Sequence, residues 1–283
     1  MREKILNLIE KRGDLPAFPD IIIKLQKMLD NPDTNISEIA KLIEMDPILS
    51  GNILRVANSA LYRSRYQDIY TLRMAVNKLG LEKIRQLVFS LKISKLFDKV
   101  ELINPLQFWK HALAVANFTQ MLSRYTDVSP NTQNIAHLSG LMHDIGIMVM
   151  CYLIPDEYAR FLKNLSKEDI PLQKQEIKAF DIDHQEVGAT FIEKWWKVDP
   201  QIIQAVRYHH FPFTGTEKEK LCQQLVHLAN GICVSYGQSN GVECFSEVFN
   251  PGAWEALGLS LDDVEKMMDD VQVSVNQAME LLG

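Results

Sequence analysis

The sequence predicts an all-α protein, on three observations. Apolar residues recur at three- and four-residue intervals along most of the 283 residues. Side chains that cap helices stand in front of those periodic stretches. The apolar–polar alternation that marks half-buried strands is almost absent.

The elements follow in order. The opening "MREKILNLIEKRGDLP" reads as an amphipathic helix and has no signal-peptide core. In "FPDIIIKLQKMLDNP", Ile21, Leu25, Met28 and Leu29 share a helical face. "NISEIAKLIEMDP" places Asn35 as N-cap with Glu38 three residues on, a capping-box pattern, and Ile36, Ile39, Ala40 and Ile43 on one side. "DPILSGNILRVANSALY" starts with Asp46 as cap and Pro47 at the first helical position. "TLRMAVNKLG" runs from a Thr71 cap to a Gly80 stop, and "LEKIRQLVFSLKISKLF" continues as another helix. "DKVELINPL" then looks like a connection between two helical parts.

Longer helices are expected over about residues 106–125, 132–153, 155–165, 172–180, 184–196, 200–209 and 218–236. "GQSNGVECFSEVFNPG" is loop-like in its Gly, Asn and Ser content, and a last helix is capped by Ser260 with Asp263 three residues on. The expected organisation is an N-terminal helical subdomain over residues 1–100, a helical bundle over 101–236 on which it packs, and a C-terminal loop and helix over 237–283 that packs on the bundle.

Composition narrows the function. The apolar share, 47%, is ordinary for a globular protein, and no apolar run is read as a membrane span. Cys151, Cys222, Cys233 and Cys244 form no CxxC pair, which argues against a zinc ribbon or a thioredoxin-like motif and for buried thiols in a cytoplasmic protein. A formal charge of −6 disfavours sequence-blind nucleic-acid binding, which needs a cationic field.

One stretch resists the oily pattern around it. "LMHDIGIMVM" sets His143 beside Asp144 among Leu141, Met142, Ile145, Ile147 and Val149. A buried carboxylate without partners costs several kcal/mol, roughly, so this one needs a cation or hydrogen-bond donors. His111, His184 and the pair His209–His210 lie on other helices, and Asn230 follows late in the chain. Imidazole and carboxylate suit zinc, manganese, iron or nickel, and helices of a bundle can bring distant ligands together. By residue type the pair could hold a catalytic metal, hold a metal that does no chemistry, or sit in a hydrogen-bonded polar core.

The order His111, His143–Asp144, His184, His209–His210 resembles the HD superfamily of metal-dependent phosphohydrolases. "LPAFPDIIIKLQKMLDNPDTNISEIAKLIEMDPILSGNILRVANSALY" and "MAVNKLGLEKIRQLV" resemble the HDOD family, the HD-related output domain of bacterial signalling proteins. "LSGLMHDIGIMVM" and "HQEVGATFIEKWWKVDPQIIQAVRYHH" match its later segments, so the resemblance covers roughly residues 14–212. It implies an HD-like helical bundle, and a bacterial signal-transduction module that acts by partner or ligand binding without turnover. The alternative it implies is a phosphodiesterase acting on a nucleotide or cyclic dinucleotide.

By the same resemblance, His111, His143 and Asp144 would be the first metal ligands, with Asp144 essential to any activity. The last ligand position falls at Asn230, where an Asp is expected. The Lys that follows HDIG in related cyclic-dinucleotide enzymes is replaced by Ile147, and their GYP signature after the His pair is missing from "FPFTG". His184, His209 and His210 could complete a site without Asn230. His137 is expected to be structural, and His227 an ordinary boundary residue. Trp195, Trp196, Tyr208, Phe211 and Phe213 are expected in core and seam packing. Arg55, Arg63 and Arg65, with Asn58 and Ser59, could meet an anionic ligand, against a structural role at the helix end.

Overall fold

The computed structural model describes residues 1–11, 16–59, 62, 68–126, 128–166, 170–196, 198–242 and 257–282. Its elements are helical, and no strand occurs among the described residues. The chain forms two compact units: Phe18–Leu96 with the last residues from Asn276, and Met1–Ala17 with Phe97–Val275.

Helix α1 (Arg2–Glu10) belongs to the second of these units, whereas the sequence grouped residues 1–100 together. Its side chains and backbone give the reason. Arg2 pairs with Glu186, Lys4 with Glu157 and Glu10 with Lys194, and the Trp195 indole donates to the Ile9 carbonyl. Ile5 and Ile9 are buried. These partners lie some 150 to 185 residues away, beyond the reach of local patterning.

The unit from Phe18 holds α2 (Asp20–Asp30), α3 (Ile36–Glu44), α4 (Pro47–Ala57), α5 (Leu72–Leu79) and α6 (Leu81–Ser94). Its caps are those the sequence announces. Asn35 and Glu38 close the capping box at α3. Asp46 accepts from the Leu49 N–H at 3.0 Å with Pro47 at the first position, and Thr71 accepts from Met74 at 3.2 Å. Gly80 ends α5 at a φ of 82°, a conformation that favours glycine. Lys92 of α6 pairs with the Asp46 carboxylate.

The larger unit continues with α7 (Pro105–Ser123), α8 (Pro130–Met142), α9 (Ile145–Leu153), α10 (Pro155–Lys163), α11 (Leu172–Phe180), α12 (His184–Trp195), α13 (Pro200–Tyr208), α14 (Glu217–Ser235) and α15 (Leu261–Leu282), of which the residues from Asn276 belong to the other unit. Ser260 caps α15 as expected, bonding the Asp263 N–H at 3.2 Å. Thr132–Leu153 is long and apolar enough to be taken for a membrane span, contrary to expectation, yet 94% of its most apolar window is buried inside the protein. It is also two helices, not the single one expected. Asp144, at φ −95° and ψ 8°, leaves helical geometry and caps α9.

Other expectations divide. Cys151, Cys222 and Cys233 are buried free thiols, and burial pushes all three above the ordinary thiol range. Cys244 lies outside the described residues. Trp196 is buried, with its indole donating to the Pro16 carbonyl. Phe211 and Phe213, expected in packing, are instead 57% and 46% exposed.

Candidate metal centre

Close backbone crossings bring the histidines together. A Cβ added to Gly140 on α8 would meet the Ala116 Cα of α7 at 2.8 Å. Only glycine permits this approach, which carries His111 of α7 to His143 at the end of α8. A Cβ on Gly146 would fall 1.8 Å from the His184 carbonyl oxygen, and one on Gly188 would meet the Gly146 nitrogen at 2.9 Å. That crossing of α9 and α12 sets His184 beside Asp144.

The break between α8 and α9 has a consequence for direction. On a continuous helix, neighbouring side chains diverge by about 100°. Here His143 is the C-cap of one helix and Asp144 the N-cap of the next, so both turn to the same point.

Six residues converge there, each 0–5% exposed. One group is His111, His143 and Asp144; the other is His184, His209 and His210; within each, the potential ligand atoms lie within 4.8 Å of one another. Asp144 faces both. Its Oδ2 is 3.0 Å from His143 Nε2 and 3.5 Å from His111 Nε2. Its Oδ1 is 3.6 Å from both His184 Nε2 and His209 Nε2.

The surrounding hydrogen bonds set the tautomers. His111 Nδ1 meets the Gln238 carbonyl, His143 Nδ1 the Gly140 carbonyl at 2.8 Å, and His209 Nδ1 the Val206 carbonyl at 2.9 Å. His184 Nδ1 meets Glu176 Oε2 at 2.6 Å. A carbonyl or ionised carboxylate can only accept, so each Nδ1 carries the hydrogen. In the neutral ring Nε2 is then a bare lone pair. Yet His111 Nε2 and His143 Nε2 stand 3.2 Å apart, and His184 Nε2 and His210 Nε2 3.1 Å apart. The His111 and His143 lone pairs do not face each other unpaired in a buried site, and a proton or a metal ion has to stand between them. His184 and His210 are joined by the proton that a charged His184 carries on Nε2.

Charges in the cluster agree. Burial alone would raise the Asp144 carboxyl, but the charge of His143 and bonding to His111 and His143 hold it well below the usual carboxylate range. Burial opposes charge on His184 too, and Glu176 overcomes it, raising that imidazole to about 10. Burial holds His209 and His210 neutral, helped by the charge of each neighbouring imidazole. Asp144 Oδ1 and His209 Nε2 are buried without a hydrogen-bond partner. Two unsatisfied ligand atoms 3.6 Å apart, Asp144 Oδ1 and His209 Nε2, together with the facing His111 and His143 nitrogens, fit a metal ion better than a self-satisfied polar core.

The sequence missed several residues that shape the centre. Glu176 takes the His184 side chain and also its backbone N–H at 2.9 Å, and accepts the Tyr158 hydroxyl at 2.7 Å. Its signal was present: an acid on the buried stripe of α11 between Leu172 and Phe180. Asn240 donates to Asp144 Oδ2 at 2.7 Å from a loop that carries no such signal. Gln185 accepts the His210 N–H at 3.0 Å. His227 serves the site indirectly, donating from Nδ1 to the His209 carbonyl at 2.8 Å. His137 is buried on α8 and belongs to neither group. Asn230 is buried on α14 with its Oδ1 unpartnered.

The other proposed ligand residues lie in the unit from Phe18. Arg55 is exposed and donates to Asn52 at 2.6 Å. Asn58 clips the end of α4: its amide donates to the Leu54 and Ile69 carbonyls, and its Oδ1 accepts the Ile69 N–H at 2.8 Å. Both its N–H groups are taken up by backbone, which is the structural role weighed against ligand contact. Arg63 and Arg65 lie outside the described residues.

Comparison with known proteins places this arrangement. The profile of the HDOD domain matches residues 15–212. An uncharacterized protein of Treponema pallidum (strain Nichols) is 25% identical over 226 residues, 79% of this chain and 43% of that protein. The chain thus spans less than half the length of that relative. Among solved structures, an HDOD domain protein with unknown function from Geobacter sulfurreducens aligns at a TM-score of 0.77 and 25% identity, over 99% of this chain and 97% of its own. A candidate signal transduction protein from Marinobacter aquaeolei VT8 aligns at 0.77 and 18% identity, over 99% and 64%. A candidate phosphohydrolase from Shewanella amazonensis SB2B aligns at 0.69 and 22% identity, over 98% and 96%.

Proposed function

This chain belongs to the HDOD domain family, and we propose that it is a bacterial, cytoplasmic signalling module that holds a divalent transition metal in a closed His/Asp centre. It works by binding a signalling protein partner or a small ligand, without turnover. The metal would be iron, manganese, zinc or nickel, the ions that suit imidazole-rich sets.

The observation that carries this reading is the set of Nε2 atoms fixed by second-layer acceptors and aimed at Asp144. His111, His143 and Asp144 Oδ2 would hold one ion; His184, His209, His210 and Asp144 Oδ1 suit another. Bound there, a metal would supply Lewis acidity and fix the meeting point of five helices. Three features argue against turnover. Every one of the six residues is buried, and structural metal sites are closed where catalytic ones keep an open position. Asp144 is the one carboxylate in the two groups, so the set carries little negative charge to offset two dications. Ile147 is fully buried and brings no cation for a phosphate.

The second reading is a metal-dependent phosphohydrolase acting on a nucleotide or cyclic dinucleotide. A single carboxylate facing two ligand groups favours it, because paired metals clamp both oxygens of a displaced phosphate. One experiment separates the two. Metal content is measured on purified protein, then hydrolysis of bis(4-nitrophenyl) phosphate and of cyclic dinucleotides is assayed with added manganese or iron, beside Asp144→Ala. Bound metal with no hydrolysis supports the module. Metal-dependent hydrolysis lost in Asp144→Ala overturns it in favour of the enzyme.

A further inference from the structure

We propose that a cavity outside the metal centre, between α10 and α11, binds a small molecule that joins an aromatic ring to an anionic group. The cavity holds about 590 Å³, within the range of small-ligand sites. Its walls combine two kinds of chemistry. Phe161, Phe180 and Ile170 supply apolar surface; Arg160, Lys174 and Lys178 supply positive charge.

The aromatic wall is built, not incidental. Phe161 and Phe180 meet edge to face at 5.1 Å, and Tyr158 stacks on Phe180 at 5.9 Å behind them. Tyr158 is held by its bond to Glu176, so the rings are anchored to the buried side of α11. A planar ring entering the cavity adds to an existing aromatic cluster.

The charge is equally specific. The chain as a whole is acidic, yet three cations line this one cavity. Its one carboxylate among the described residues, Glu157, is paired with Lys4. Among the described lining residues this leaves positive charge beside apolar surface, a combination that recognises an anion carried on a hydrophobic body. Carboxylate and phosphate both meet that description. Neither Glu176 nor any of the six residues of the centre is among the residues that line the cavity, so binding there is a separate question from whether the centre takes metal.

Calorimetric titration of the full chain with 2-naphthyl phosphate, 2-naphthoate and neutral 2-naphthol tests this. At least one anion is expected to bind about tenfold tighter than 2-naphthol. Lys174→Glu combined with Lys178→Glu should remove that preference, while thermal melting stays unchanged because both side chains are exposed. Preference for the phosphate points to a nucleotide-like ligand, and preference for the naphthoate to an aromatic acid; both support the site. If neither anion outbinds 2-naphthol, or if the double charge reversal leaves the affinity as it was, the proposal is wrong. The charge reversal also exposes capture at the metal centre, which it would not affect.

Discussion

Asp144 and His143 are consecutive residues, yet Oδ2 of one lies 3.0 Å from Nε2 of the other. The α8–α9 break makes this contact, and the rest of the cluster is assembled around it. Disturbing the break, the crossings or the second-layer acceptors should therefore be felt at the metal.

Removal of metal should destabilise the fold. An ion at a concentration 100 times its Kd contributes about 2.7 kcal/mol. For a chain of this size that is a fall in Tm of roughly 5–10 °C after chelation. Differential scanning calorimetry before and after chelator, then after refilling with each metal, measures it. An unchanged melt together with no metal uptake would remove the centre from consideration.

Glu176→Gln should weaken metal binding by roughly 10–100-fold. The variant keeps the size of the side chain but withdraws the anion that orients His184 and makes it basic. Tyr158→Phe removes only one bond to the far oxygen and should do less. Metal affinity by competition with a chromophoric chelator distinguishes them; equal affinities for wild type and Glu176→Gln would show that His184 is no ligand.

Gly146→Ala tests the α9–α12 crossing. The added methyl would overlap the His184 carbonyl, so one helix must move. A loss of about 3 kcal/mol is expected, at the upper end of overpacking costs. Denaturant unfolding reads it, and Gly51→Ala on α4, where the new methyl meets open space, is the control that should not destabilise.

The Asp46–Lys92 pair should give an acid-dependent term. Partial burial raises the Asp46 carboxyl, but the Lys92 bond and the Leu49 N–H outweigh it, and the folded value falls below the ordinary 3.8. A lowered folded value means stability that is present above 3.8 and lost as pH falls through the folded value. Asp46→Asn keeps a good N-cap and removes the charge. Its cost, about 0.5–1 kcal/mol near neutrality for a pair this exposed, should shrink in acid. A cost independent of pH would mean that the cap alone matters.

Much of the site could be read as residue types but not as a place. His111, His143, Asp144, His184, His209 and His210 stand out in the chain because polar groups interrupt apolar runs, and all six meet. Glu176 could have joined them, as an acid on an apolar stripe. Asn240 could not: it reaches Asp144 from 96 residues away in a loop with no periodicity to interrupt.

The sequence by itself determined the helices, their caps and the family, because hydrogen-bonded turns and capping boxes span only three or four neighbours. Tertiary structure alone decided that α1 joins the later unit, that one apolar stretch is two helices, and that each imidazole presents Nε2 inward. Those outcomes depend on backbone crossings at Gly140, Gly146 and Gly188 and on acceptors far along the chain, where local pattern has no reach.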